Sequence, residues 1–173
     1  VPELKGPVDG CNGCHAPLAF LAGDVTPPRP EENSRANEGV SCDLCHTITA
    51  IEKPDDDYPV NFSYVSSPGR TKYGTKEGLE SPHHVTQKLD VYGQAEFCGS
   101  CHNEKNPFGI WVKSTQIEWS EGPYAEQGVP CHQCHMPKAW GKNAKMAKED
   151  MVAQHLFHGA HDPGKVGGAI ELR

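Results

Sequence analysis

Gly128-Val129-Pro130-Cys131-His132-Gln133-Cys134-His135-Met136-Pro137 contains Cys-x-x-Cys-His, and the recurrence of that pattern governs how the rest of the chain can fold. Two cysteines at this spacing take two thioether bonds to the vinyl groups of a haem, and the next residue offers its imidazole to the iron. Cys11, Cys14 and His15 form the first copy, Cys42, Cys45 and His46 the second, Cys98, Cys101 and His102 the third, and Cys131, Cys134 and His135 the fourth. The eight cysteines of the chain are all used, leaving none for a disulfide, a nucleophile or a separate metal site. Residue frequencies give roughly 0.02 chance matches to this pattern in a chain of 173 residues. Four-cysteine zinc ribbons also use Cys-x-x-Cys pairs, but they do not require a histidine after every second cysteine.

Four covalently attached haem c groups reshape the reading of the composition. Only 36% of residues are hydrophobic and 8% aromatic, and 18 glycines and 15 prolines interrupt regular elements. A single apolar core built from side chains alone is not expected. The haems themselves are expected to be the core, wrapped by a mainly α chain with much irregular structure, in a multihaem cytochrome c fold whose apo chain does not fold. The formal charge of −7, made more negative by haem propionates, argues against nucleic acid and anionic lipid as partners and favours redox proteins. No apolar run approaches the ~20 residues that span a bilayer. No signal peptide is visible, so Val1 is expected to follow a removed leader or to lie later still.

Taken in order, Val1 to Gly10 is a polar lead-in, and Ala16 to Leu21 is an apolar segment suited to a porphyrin face. Thr26-Pro27-Pro28-Arg29-Pro30 must be extended or turned. Glu31 to Glu38 reads as a short exposed helix, and Lys53 to Pro59 as an acidic surface loop rather than a calcium site. Val60–Val65 and Arg70–Thr75, separated by Ser67-Pro68-Gly69, predict a small β-hairpin near 60–75. Pro82 is placed to open a helix running through Leu89, with a further helical turn carrying Phe97. Ser114-Thr115-Gln116-Ile117-Glu118-Trp119 carries a helix start, and Trp111 and Trp119 are expected to cover haem faces. Asn143 to Phe157 has the strongest helix composition, ended by Gly159, and the tail from Pro163 to Arg173 reads as loose or used for contact.

An internal repeat organises the motifs. Glu38-Gly39-Val40-Ser41-Cys42 and Gln127-Gly128-Val129-Pro130-Cys131 share Gly-Val before the first cysteine. The first and third motifs begin 87 residues apart (98 − 11), the second and fourth 89 (131 − 42). This predicts one tetrahaem domain over 1–173, built from two di-haem modules at about 1–50 and 90–140, with ligand-supplying segments at 76–92 and 143–162.

Each motif supplies one axial ligand, so His15, His46, His102 and His135 are the expected proximal set. Six histidines remain. His132 sits between two haem-bonded cysteines and reads as a bystander, while His84, His155 and His161, then His83, then His158, are candidate distal ligands. That supply suits bis-histidine ligation, which gives low-spin, electron-transferring haem. On the predicted helices, His83 and His84 point in different directions, and His155 and His158 lie one turn apart, one for iron and one for a propionate. Met146 and Met151 are alternative ligands but look more like packing residues. His84 precedes Cys98 by 14 residues, and the equivalent of His84 in the first module would fall before Val1. An upstream segment or a neighbouring subunit is therefore expected to supply a ligand.

The Gly-Val-x-Cys-x-x-Cys-His motifs, Phe97-Cys98-Gly99-Ser100-Cys101-His102-Asn103 and His155-Leu156-Phe157-His158-Gly159-Ala160-His161 resemble the tetrahaem cytochromes typified by the electron acceptor of hydroxylamine oxidoreductase. The wider group includes hydroxylamine oxidoreductase, the pentahaem nitrite reductases and extracellular cytochrome filaments. The resemblance implies closely spaced haems in stacked and perpendicular pairs that pass electrons along a chain. All four motifs end in His, unlike the Lys-bearing catalytic motif of the nitrite reductases, and no spare histidine precedes His83, unlike the typical tetrahaem member. The expected function is non-enzymatic electron transfer in the periplasm or outside the cell. Two alternatives are a filament subunit whose neighbour donates a ligand, and a redox enzyme with one five-coordinate haem acting on a small nitrogen or sulfur compound.

Overall fold

Three of the four attachment motifs run almost directly into a β-strand, a linkage that sets the architecture of the chain. In the computed structural model, which describes residues 13–22, 38–53, 57–143 and 146–169, α2 (Cys42–Cys45) leads into β1 (Ile48–Ile51) and α3 (Ala95–His102) into β5 (Asn103–Lys105). Likewise α6 (Cys131–His135) leads into β7 (Lys138–Gly141). Each strand is one half of a two-stranded antiparallel ladder. β1 pairs with β2 (Tyr64–Ser66), β5 with β6 (Trp111–Ser114) and β7 with β8 (Asp150–Ala153). The ladder absorbs backbone groups just past each histidine, where a one-turn helix leaves its carbonyls unpaired. Cys11, the lead-in, the proline stretch, all but Glu38 of the helix predicted over Glu31 to Glu38, and the centre of the acidic loop lie outside the described residues.

The chain divides into two units, residues 1–121 and 122–173. In the first, α1 (Pro17–Leu21) buries Pro17, Ala19 and Phe20. Phe20 meets Phe62 with ring centroids 5.7 Å apart, and Ala16, Leu44, Ile48, Val60 and Ala95 complete a small apolar core. Larger side chains stand exposed, Phe108 at 86% and Ile110 at 63% among them. A polar cluster supports α3 from below. Asn103, fully buried, donates through Nδ2 to Pro59 O at 3.0 Å and to Gln116 Oε1 at 2.9 Å, and accepts from Gln116 N through Oδ1 at 3.1 Å. Asn61 exchanges two further bonds with Lys105. Buried amides cost stability unless satisfied, and this one is satisfied on both ends. The predicted helix start at Ser114 is present as α4 (Thr115–Ser120), where Ser114 Oγ bonds Glu118 Oε1 at 2.6 Å.

The predicted hairpin near 60–75 is not formed. Its first arm is shortened to β2 and pairs with β1, and its second arm, β3 (Thr71–Gly74), pairs in parallel with β4 (Val85–Lys88). β4 also replaces the helix expected from Pro82 to Leu89. The β-branched pair Val85-Thr86 suits a strand, and pairing with β3 overrides the helix-opening proline. A 3₁₀ turn (Asp90–Gly93) then leads to α3, which carries Phe97 as expected.

In the second unit, α5 (Pro123–Glu126) precedes α6. The helix predicted over 143–157 gives way to β8, whose Val152 lies opposite Ala139 and whose Asp150 lies opposite Gly141. Helix propensities sum to only a few kcal/mol over such a segment, and ladder pairing outweighs them. His155 and His158 consequently do not share a helix face. The expected loose tail is helical over α7 (Pro163–Ala169), where Asp162 Oδ1 accepts from Lys165 N at 2.8 Å.

Candidate functional site

Two of the motif histidines, His46 and His135, are held by backbone carbonyls. Nδ1 of His46 lies 2.6 Å from Tyr73 O on β3, and Nδ1 of His135 lies 2.5 Å from His158 O. A carbonyl can only accept, so Nδ1 carries the proton in both rings and the lone pair resides on Nε2. This is how second-shell contacts fix the tautomer and direction of an iron-ligating imidazole. His15 and His102 are exposed.

Tyr92 braces the second motif further. Its ring stacks on that of His46 at 5.8 Å between centroids and 13° between planes, and meets Phe97 at 4.7 Å. Its hydroxyl lies 2.5 Å from Cys45 O and 3.0 Å from Ile48 O. Burial pushes the Tyr92 phenol up, keeping it a protonated donor.

The second cysteines of the first and third motifs approach each other, Cys14 Sγ lying 3.6 Å from Cys101 O. Burial pushes the Tyr64 phenol up, and Cys101, Cys14 and Cys45 add to that shift. Glycines permit the approach. A Cβ on Gly13, inside motif one, would stand 2.4 Å from the Phe62 ring, and one on Gly99, inside motif three, 2.9 Å from both Pro59 and Gln116. Phe62 is itself fixed by its N–H to Ser100 O at 2.7 Å. Among the described residues no three or more His, Cys, Asp or Glu side chains gather in a metal-ion cluster of the zinc-ribbon kind.

The candidate distal ligands occupy two regions. His84 directly precedes β4, and its Nδ1 is the one buried side-chain polar atom without a hydrogen-bond partner among the described residues. His83 is exposed, its N–H bonded to Ser81 Oγ at 3.2 Å. In the second unit, His155 directs Nδ1 to Ala153 O at 3.1 Å, again placing the lone pair on Nε2. His158 bonds Asp162 Oδ2 through Nδ1 at 2.6 Å while its carbonyl holds His135. His161 is exposed, and His132 is half-buried, its imidazolium disfavoured by burial and by Lys138. Met146 and Met151 are exposed, Met151 on β8. Trp111 lies beneath Lys105 Nζ, 4.4 Å from the ring centroid. The bracing residues Tyr73, Tyr92, Tyr64 and Asp162 carry no spacing signal in the sequence, because their roles arise from contacts across 20 to 50 residues or from one loop's conformation.

These residues fit covalently bound haem. The donor set is a pair of cysteines on a helical turn, an imidazole with its tautomer set for Nε2 ligation, and a buried orphan ring nitrogen at His84. Haem supplies a one-electron iron centre. Among the described residues no helix is long and apolar enough to cross a membrane. No curated protein and no solved structure matches the chain. The family model for the NapC/NirT cytochrome c family, N-terminal region, matches residues 68–166, more than half of the chain, spanning the third and fourth motifs and every spare histidine. The chain therefore belongs to the NapC/NirT cytochrome c family, and is a c-type cytochrome of electron transfer that carries covalently bound haem and works with redox partners.

Proposed function

We propose that the chain is a tetrahaem electron carrier of the type that accepts electrons from hydroxylamine oxidoreductase, with one haem on each motif and the haems forming the core of a single tetrahaem domain. His15, His46, His102 and His135 are the proximal ligands. The distal ligands come from His84, His155, His161, His83 and His158, giving bis-histidine, low-spin iron with no open catalytic position. Attachment of haem c takes place outside the cytoplasmic membrane, so the reading includes a periplasmic or extracellular location.

The observation that supports it best is the approach of Cys14 Sγ to 3.6 Å from Cys101 O, which brings the first and third motifs together. Haems tethered to cysteines this close have short edge-to-edge separations, which is what stepwise electron tunnelling needs. Electron paramagnetic resonance of the oxidised protein, together with its intact mass, tests the proposal. The expected result is a mass increment of four haems and only low-spin signals. A persistent high-spin signal would overturn it in favour of an enzyme, whereas one that vanishes on concentration would point to a ligand donated between subunits.

A further inference from the structure

We infer that Tyr92 is a positioning residue for the second haem, holding the His46 ring by stacking and the end of its attachment helix by its hydroxyl. The inference rests on the reading of His46 as an iron ligand. Three independent contacts converge on one side chain. The ring lies nearly parallel to the imidazole at 13° and 5.8 Å. The hydroxyl proton serves Cys45 O at 2.5 Å, a carbonyl at the C-terminal end of α2 that the one-turn helix cannot satisfy, and Ile48 O at 3.0 Å at the start of β1. The opposite edge meets Phe97 at 4.7 Å, and Phe97 directly precedes Cys98 of the third motif.

These contacts constrain the orientation of the His46 ring. Its Nδ1–H is bonded to Tyr73 O at 2.6 Å, which sets the tautomer but leaves rotation about that bond. A stacked ring blocks that rotation. The orientation of an axial imidazole and the strength of its Nδ1 hydrogen bond both tune a haem iron: a well-held bond makes the ligand more basic and favours the oxidised state. Removing the brace weakens the bond to Tyr73 O and raises the midpoint potential of that haem. Because Tyr92 also touches Phe97, it ties the second attachment helix to the third and keeps their spacing fixed.

The test uses the haem-loaded protein with Tyr92→Phe, which removes only the hydroxyl, and Tyr92→Leu, which removes the stacking ring as well. Peptide mapping of the wild type first establishes haem on Cys42 and Cys45. Its absence there would defeat the reading of the motif and the inference with it. With haem present, Tyr92→Leu is expected to change the g-values of one low-spin haem and to raise one midpoint potential, leaving the other haems as they were. Tyr92→Phe is expected to change the same haem less, which separates orientation from mere stability. Unchanged g-values and potentials in Tyr92→Leu at full haem content would overturn the inference. Should Tyr92→Leu fail to accumulate, Tyr92→Phe decides: a shift confined to one haem supports the role, and no shift refutes it.

Discussion

Asn103 and Gln116 are locked by two hydrogen bonds, Nδ2 to Oε1 at 2.9 Å and backbone N to Oδ1 at 3.1 Å, in a fully buried position directly after the histidine of the third motif. Replacing Asn103 by Ala strands the Gln116 N–H, the Gln116 side-chain oxygen and Pro59 O. Orphaned buried groups cost about 1–3 kcal/mol each, and partial relaxation makes a total near 3 kcal/mol the expected loss. The urea midpoint, followed by far-ultraviolet circular dichroism, should fall accordingly, and an unshifted midpoint would show that the cluster does not support α3.

Gly99 and Gly13 are predicted to tolerate no side chain. Overpacking typically costs about 1–3 kcal/mol. Gly13→Ala should sit at the upper end, because its Cβ would meet the Phe62 ring at 2.4 Å, and Gly99→Ala lower, since the Gln116 side chain can give. Gly93→Ala meets nothing within 4 Å and serves as the neutral control. Thermal unfolding of the three variants checks the order.

Acidification should loosen the start of α7. The Asp162 carboxyl is held below its usual range first by the Lys165 N–H it accepts, with His158 and the Gly164 N–H adding to the effect. A depressed carboxylate contributes its stabilisation fully above the unfolded value of ~3.9 and loses it as pH falls through the lower folded value. The hydrogen-exchange protection of Gly164 and Lys165, corrected for the intrinsic pH dependence of exchange, is expected to fall below about pH 4. In Asp162→Asn the protection should be low already at neutral pH and should not change across that range.

His84→Ala removes the half-buried imidazole whose Nδ1 is buried without a hydrogen-bond partner. The expected outcome is one haem turned high-spin, visible as a new high-spin resonance, with the haem content unchanged. His132→Ala, the bystander within the fourth motif, should leave every haem low-spin. A wholly low-spin His84→Ala protein would remove His84 from the ligand set.

How far the chain could be read without its structure depended on how local each feature was. The four Cys-x-x-Cys-His motifs, the cofactor they bind and the stock of spare histidines are written in contiguous residues. So are the helical turn at Phe97-Cys98 and the helix start at Ser114, because backbone conformation there is set within one turn. Strand pairing is not local. Val60–Val65 was expected to fold back on Arg70–Thr75, yet Tyr64–Ser66 pairs with β1 and Thr71–Gly74 with β4. Asp150–Ala153 has helix-forming neighbours and became a strand because Lys138–Gly141 lay beside it.

The sequence by itself determined the four Cys-x-x-Cys-His motifs, since that pattern needs only residues i, i+3 and i+4. The tertiary structure decided which backbone carbonyls hold His46 and His135, that Tyr92 stacks on His46, and that Cys14 Sγ lies 3.6 Å from Cys101 O. Those relations join residues from 23 (His135 and His158) to 87 (Cys14 and Cys101) positions apart, and packing across such separations depends on the ladders and glycine contacts that no short window of sequence contains.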